Sequence, residues 1–509
     1  MLEQLAIGLA VLATPVHLGV LALGLLVGLL VAILPGLTLV MGIALALPFT
    51  YQLGMTPAVI LLTAMYVSGT YGGAFTSILF RVPGEPFDIP LLWDGHAMAR
   101  KGQAATALGL VLVAALFGGF CSLLFMMAVA EPFARVAIRL SAPEYFALIV
   151  FGIASVVSLG GGSLINALVA LLVGLLVACV GVDQTYGVER FTFGLRTLSD
   201  GVEYVAVMIG AYGLGEVLSR LERGEEQAHL SAGGAVRTVL PRWAEILRLR
   251  WALVRSTVIG ILVGVVPGAG ATVASFVAYG AEGQYGARRE QLGTGIPEGV
   301  VAPQAASTAS VGGAMVSLLT LGIPGSGATA IIYGAFLLHG LQPGPQLFAT
   351  TPEVAYTIFG TMLVSLIGMC LIGYLFVRAL VRVLEAPEAI VSAFVVVFCF
   401  VGTLAVRNNT NDLWVIVAFG LVGWLFERFR LPLAPMVLGV ILGPMAEGYF
   451  MTTMISYGND WTVFLTRPLS GVLMVASALA LALPLVRDRL QRRAPVPAPA
   501  VGPEVPARP

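Results

Sequence analysis

Residues 301–341, VAPQAASTASVGGAMVSLLTLGIPGSGATAIIYGAFLLHGL, are apolar enough to lie in a bilayer, yet they are filled with small residues and broken at Gly322-Ile323-Pro324-Gly325-Ser326-Gly327. Proline removes an amide donor and glycine loosens the backbone, so a helix must unwind there. At membrane depth such unwinding is tolerated only where the freed backbone groups are buried in protein or line a wet cavity. An interrupted apolar segment flanked by Ser and Thr therefore points to a transport site, with a packing kink as the alternative.

The chain carries this pattern twice. Residues 71–84 read YGGAFTSILFRVPG and residues 311–325 read VGGAMVSLLTLGIPG, with Ser77 and Ser317 at the same offset from Gly-Gly-Ala. Each is preceded by another broken run, GLLVAILPGLT ending at Thr38 and GILVGVVPGAGAT ending at Thr272. Matched breaks in two parts of one chain are the signature of a carrier built from repeats.

Composition agrees. Of 509 residues, 58% are hydrophobic and only 11% charged, with mean hydropathy +0.95, whereas soluble domains are about 25% charged. The expected fold is an all-α polytopic membrane protein of about twelve membrane segments in two related halves with broken or re-entrant helices. Its expected parts are a first half over 1–218, an Arg-rich cytoplasmic linker over 219–255, a second half over 256–486, and a Pro-rich disordered tail over 487–509. No clustered basic face for nucleic acid is present, and Cys121, Cys179, Cys370 and Cys399 stand singly without metal spacing.

Enzyme chemistry finds no support. Pro267–Thr272 (PGAGAT) resembles a phosphate loop, but a Walker motif requires Gly-Lys-Ser/Thr and the sole lysine is Lys101. Neither a Gly-x-Ser-x-Gly elbow nor His-Glu-x-x-His occurs. Anion transport fits better, because the amides at half-helix N-termini carry partial positive charge and favour a carboxylate. The candidate substrate-binding residues are Gly73, Ser77, Gly84, Ser307, Thr308, Gly325 and Ser326, near the point where the Pro35, Pro83, Pro267 and Pro324 breaks should converge. Glu298 and Gln304 are the coupling-ion candidates, although Glu298 could equally be a helix-start residue facing water. The polar stretch 81–101, RVPGEPFDIPLLWDGHAMARK, reads either as a solvated loop or as a re-entrant turn with Pro83-Gly84-Glu85 at its substrate end.

From about Leu18 to Val486 the chain resembles the TctA family, the large membrane subunit of tripartite tricarboxylate transporters. The resemblance rests on ILPGLTLVMGIALALPFTYQLG, YGGAFTSILFRVPGEP, DGHAMARKGQA, GTGIPEGVVAPQAASTASVGGAMVSLLTLGIPGSGATA, LHGLQPGPQLF and APMVLGVILGPMAEGYF. It implies a carrier for citrate or related carboxylates in the bacterial inner membrane, driven by H+ or Na+ through alternating access and needing no cofactor. It also implies two partners, a small four-span membrane subunit (TctB-like) and a periplasmic solute-binding protein (TctC-like). Where many members read Glu-Ala-Ala-Asn-Asn, this chain has Gln304-Ala305-Ala306-Ser307-Thr308, and Gln304 can neither exchange a proton nor neutralise sodium. Rival readings are a carboxylate symporter working without a binding protein and a membrane assembly factor with no transport cycle.

Overall fold

The computed structural model describes residues 2–34, 37–159, 163–183, 186–223, 238–383 and 388–493. The expected break at Pro35-Gly36, the centre of the Arg-rich interval and the Pro-rich end of the tail lie outside them. The described chain is helical apart from a two-stranded ribbon pairing Gly181–Val182 with Glu189–Arg190. Among the described residues, five helices are long and apolar enough to cross a membrane, and seven shorter apolar helices accompany them.

The fold is organised by two sets of helices carrying the repeated sequence. The first comprises α1 (Pro15–Ile33), α2 (Leu39–Leu53), α3 (Met55–Phe80), α4 (Leu91–Arg100) and α5 (Ala104–Ala137). The second comprises α6 (Arg250–Val265), α7 (Gly270–Tyr285), α8 (Pro297–Leu321), α9 (Gly327–Leu338) and α10 (Pro352–Leu375). α11 (Leu433–Ser456) follows later in the chain. The helix α6 begins inside the expected linker, so Arg250 and Arg255 belong to a helix rather than a loop.

The core is built around α3 and α8. Residues Ala58–Ile78 of α3 and Gly299–Thr320 of α8 are buried without a gap. A helix buried on every side needs small residues where its neighbours cross, because lipid-like surroundings give helices no hydrophobic reason to associate. Along α1, Gly24 meets Leu61 and Gly28 meets Met65, so α1 and α3 run side by side in the same direction. A Cβ at Gly28 would overlap Ser68 Oγ and fall 2.6 Å from the Met65 carbonyl oxygen. The second set repeats this: Gly260 packs on Ala306 and Gly264 on Ser310, again running together. By contrast α1 turns Leu18, Leu23 and Leu26 outward, as a lipid-facing helix does.

The two Pro-Gly tips are held alike. A Cβ at Gly84 would fall 2.8 Å from the Ala32 carbonyl oxygen, and one at Gly325 would fall 2.8 Å from the Gly264 carbonyl oxygen. Ala32 and Gly264 each stand three residues before a proline of the preceding break, Pro35 and Pro267. Side chains at Gly84 or Gly325 would push the tip off the helix that supports it.

Candidate functional site

The interrupted segments meet at a cavity of about 510 Å3. Thr38 and Leu39 reach it from the break before α2, Glu85 and Pro86 from the break after α3, Gly268–Thr272 from the break after α6, and Ser326 and Gly327 from the break after α8. Gly268 and Gly270 adopt positive φ, +79° and +57°, which ends α6 abruptly and starts α7 afresh. The Gly268 N–H donates to the Gly325 carbonyl at 3.0 Å, so the two breaks of the second set are tied together.

The cavity is bordered by helix beginnings. The first residues of α2, α7, α9 and α11 all line it. Thr38 caps α2 by accepting the Met41 N–H at 3.2 Å, and Ser326 caps α9 by accepting the Thr329 N–H at 3.2 Å. Thr329 Oγ1 in turn accepts the Ser326 N–H at 2.8 Å. Tyr66, from the middle of α3, hydrogen-bonds through its hydroxyl to Ser326 Oγ at 3.0 Å. No lysine, arginine or histidine is among the described residues that line the cavity, whereas Glu85, Glu216 and Glu427 do line it. Positive character here comes from backbone amides, each helix start carrying about half an elementary charge.

A second cavity, of about 670 Å3, adjoins the same tip: Leu321 and Ile323 border it together with Tyr145, Tyr204, Tyr333 and Tyr449. The Gly322–Ser326 tip therefore contributes to both cavities, with buried Ile323 on one and Ser326 on the other. The helix α11 also borders both.

Of the residues named from the sequence, Ser326 lines the 510 Å3 cavity. Gly73, Ser77 and Gly84 lie behind it. Ser77 Oγ donates to the Gly73 carbonyl at 3.0 Å and accepts the Gly84 N–H at 3.4 Å, and Gly73 and Gly84 press together where a Cβ would overlap. Gly325 is packed against Ala314 of α8. Ser307 donates to the Gln304 carbonyl at 3.0 Å along its own helix. Gln304 Nε2 donates to Thr308 Oγ1 at 3.1 Å and across to the Thr70 carbonyl at 3.0 Å, tying α8 to α3. Glu298, at the far end of α8, accepts from Arg288 Nε at 3.0 Å in a partly exposed ion pair. It stands as a helix-start residue and does not line the cavity.

Sequence reasoning missed Asp88 and Asp94, and it placed Glu85 at the substrate end of a re-entrant turn without giving it a role. Glu85 is 3% exposed and its carboxylate accepts the Leu39 N–H at the start of α2. Asp88 is 1% exposed and its Oδ2 has no hydrogen-bond partner. Asp94 is fully buried and accepts from Gly295 N–H at 2.7 Å, Gly293 N–H at 2.9 Å, Ile296 N–H at 3.0 Å and the Tyr279 hydroxyl at 2.8 Å. The available signal was a run of carboxylates in the stretch 81–101 of a chain otherwise poor in charge.

Comparison with known proteins places the chain among relatives. The profile described as "Tripartite tricarboxylate transporter TctA family" matches residues 18–438. The chain belongs to the TctA family. It is 34% identical over 495 residues to a 52.8 kDa protein of the TAR-I ttuC' 3' region of Agrobacterium vitis, covering 96% of this chain and 98% of that one. A protein of the TAR-II ttuC' 3' region of the same organism is 33% identical over 234 residues, which is 45% of this chain and 96% of that one. No solved structure matches. This TctA-family chain is thus a multi-pass helical membrane protein of a transporter family, which is not a class of enzymes.

Proposed function

We propose that this chain is the permease subunit of a binding-protein-dependent secondary carrier, taking up tricarboxylates or related carboxylates at the expense of an H+ or Na+ gradient. A small TctB-like membrane subunit and a periplasmic TctC-like binding protein complete it in the bacterial inner membrane. The observation that carries this reading is the cavity of about 510 Å3 onto which four helix N-termini open, with no basic side chain among the described lining residues. Helix starts bind carboxylates through amides and dipole, and Thr38, Tyr66 and Ser326 supply hydroxyls to orient one. The size fits a small organic acid. Alternating access follows from the tip shared by two cavities: movement of the Gly322–Ser326 segment would open one while closing the other. The repeats form two related halves whose breaks build the common site.

The test is uptake of a panel of labelled mono-, di- and tricarboxylates into proteoliposomes holding both membrane subunits, with and without the binding protein. Saturable uptake of di- or tricarboxylates that requires the binding protein is expected. Uptake by this chain alone would replace the tripartite reading with a stand-alone symporter. Uptake of none of the acids under either gradient would refute the carrier.

A further inference from the structure

We propose that Glu85 and Asp88 form the site of the coupling cation, a proton or Na+; the inference rests on the carboxylate-carrier reading and names what drives it. The two carboxylates stand on one 3-10 turn, Pro86–Asp88, for which Glu85 is the N-cap and whose Asp88 N–H donates to the Glu85 carbonyl at 2.9 Å. Glu85 borders the cavity and Asp88 lies one turn behind it. Asp88 Oδ2 presses on the α-carbon side of Gly73, where a Cβ would overlap it, and the Glu85 amide nitrogen lies 3.0 Å from the same position. Both groups are more than nine-tenths buried, and Asp88 Oδ2 is an acceptor without a donor.

Among the described residues, the helices packed around this turn bring it no unpaired cation, and beside it in sequence Arg81 and Arg100 are exposed while His96 hydrogen-bonds to the Ile78 carbonyl at 3.0 Å. The sequences of α2 and α3 contain no charged residue. The charged side chains of α7 and α8 are Glu282 and Glu298, and each is paired with an arginine, Arg255 and Arg288. What α7 offers the turn is Ser275, whose hydroxyl donates to the Phe87 carbonyl at 2.6 Å. The other titratable groups bordering the cavity are Tyr66, Tyr212, Glu216 and Glu427, of which Glu216 accepts from Arg220 at 3.1 Å. Two neighbouring carboxylates cannot stay ionised in such surroundings unless a cation joins them or one takes up a proton.

The position explains coupling. The carboxylate of Glu85 holds the Leu39 amide, the first of α2, which a substrate carboxylate would otherwise meet. A cation on the Glu85–Asp88 turn removes the negative charge that repels an incoming acid and loosens the claim of Glu85 on that amide. Substrate and cation then favour each other's binding reciprocally, as symport requires.

The experiment compares wild type with Asp88→Asn in proteoliposomes holding the complete tripartite assembly. Accumulation of labelled citrate is measured under an imposed Na+ gradient and, separately, under an imposed pH gradient; exchange of citrate is measured with neither. The wild type should accumulate under one of the gradients, which names the cation. Asp88→Asn should lose accumulation by at least about tenfold, and its citrate exchange, measured at low and at high cation concentration equal on both sides, should lose the response to the cation that wild type shows. If Na+ is the cation, purified wild-type protein should retain radioactive sodium, and both Asp88→Asn and Glu85→Gln should not. If the proton is, citrate addition should draw protons from a weak buffer in wild type only. Normal gradient-driven accumulation by Asp88→Asn overturns the assignment and leaves the carrier intact. Exchange by Asp88→Asn that keeps the wild-type response to the cation also overturns it, and where a folded Asp88→Asn does not exchange at all, retained cation binding overturns it. A wild type that neither exchanges nor accumulates citrate or any other acid of the panel refutes the underlying reading instead. Should Asp88→Asn not purify, cation binding by Glu85→Gln decides alone, and unaltered binding overturns the assignment.

Discussion

Replacing Asp94 should loosen the protein by an amount that its hydrogen bonds allow one to work out. This carboxylate, carried on α4, receives three backbone amides from the loop leading into α8 and the hydroxyl of Tyr279 on α7. It therefore staples the first set of helices to the start of the most buried helix of the second. Tyr279→Phe removes one donor to a charged acceptor, worth about 1.5–3 kcal/mol net. Asp94→Asn keeps one acceptor oxygen and turns its amide hydrogens toward donors, so about 2 kcal/mol should go. Asp94→Ala strands the buried Ile296 amide and the half-buried Gly295 amide, while the exposed Gly293 amide turns to water. At roughly 1–3 kcal/mol for each stranded donor, and allowing for non-additivity among neighbours, the loss should be about 4 kcal/mol, or roughly a thousandfold in the folding equilibrium. Unfolding of the purified chain by SDS in mixed micelles measures the series. The expected order of stability is wild type, then Tyr279→Phe and Asp94→Asn together, then Asp94→Ala. Asp94→Ala within about 0.5 kcal/mol of wild type would show that the staple contributes nothing net, and the reasoning from buried donors would be wrong.

Three further outcomes are expected. Ser326→Leu deletes an N-cap worth about 1 kcal/mol and puts a bulky side chain into the cavity, so uptake should vanish while membrane insertion, followed by fractionation and blotting, is unchanged; normal uptake would remove Ser326 from the site. Gly28→Leu has no room against Ser68 Oγ and the Met65 carbonyl, so α1 should part from α3, and limited proteolysis should reveal it; a protease-resistant variant with wild-type yield would contradict the packing. Glu298→Gln breaks a partly exposed ion pair with Arg288, costing at most about 1 kcal/mol, and should leave gradient-driven accumulation within about twofold of wild type; its loss would return Glu298 to the coupling role.

What the sequence disclosed was the set of interruptions. Pro83, Pro267 and Pro324 mark segments that all reach one cavity, because a missing amide and a flexible glycine act on the residues beside them and need no knowledge of the rest of the fold. Which hydroxyls face that cavity was not legible. Ser307 and Thr308 look equivalent to Ser326 in sequence, yet Ser307 bonds back to its own helix and Thr308 receives Gln304, as hydroxyls in apolar helices commonly do. Ser326 differs because it precedes a helix instead of sitting inside one. The burial of the carboxylates in stretch 81–101 was unreadable for another reason. Their burial is created by partners far along the chain, Ser275 over Phe87 and the loop before α8 over Asp94, so a solvated loop and a buried turn share one composition.

The electrostatics of the cavity bind these observations together. Four helix starts amount to about two positive charges spread over backbone amides, enough to attract an acid but with no single cation to trap it. In the proposed carrier, a buried arginine would hold a tricarboxylate too well for a cycle that must release it, whereas amide dipoles at the Pro-Gly tips would weaken if those tips part. Against them stands Glu85, already seated on the first amide of α2. With Glu85 ionised, the site is partly satisfied by its own side chain; with a cation on the Glu85–Asp88 turn, the same amides are left in excess of positive charge. In the carrier we propose, affinity for the acid is then set by occupancy of the cation site a few residues away, which is the condition for a gradient of one solute to drive the other.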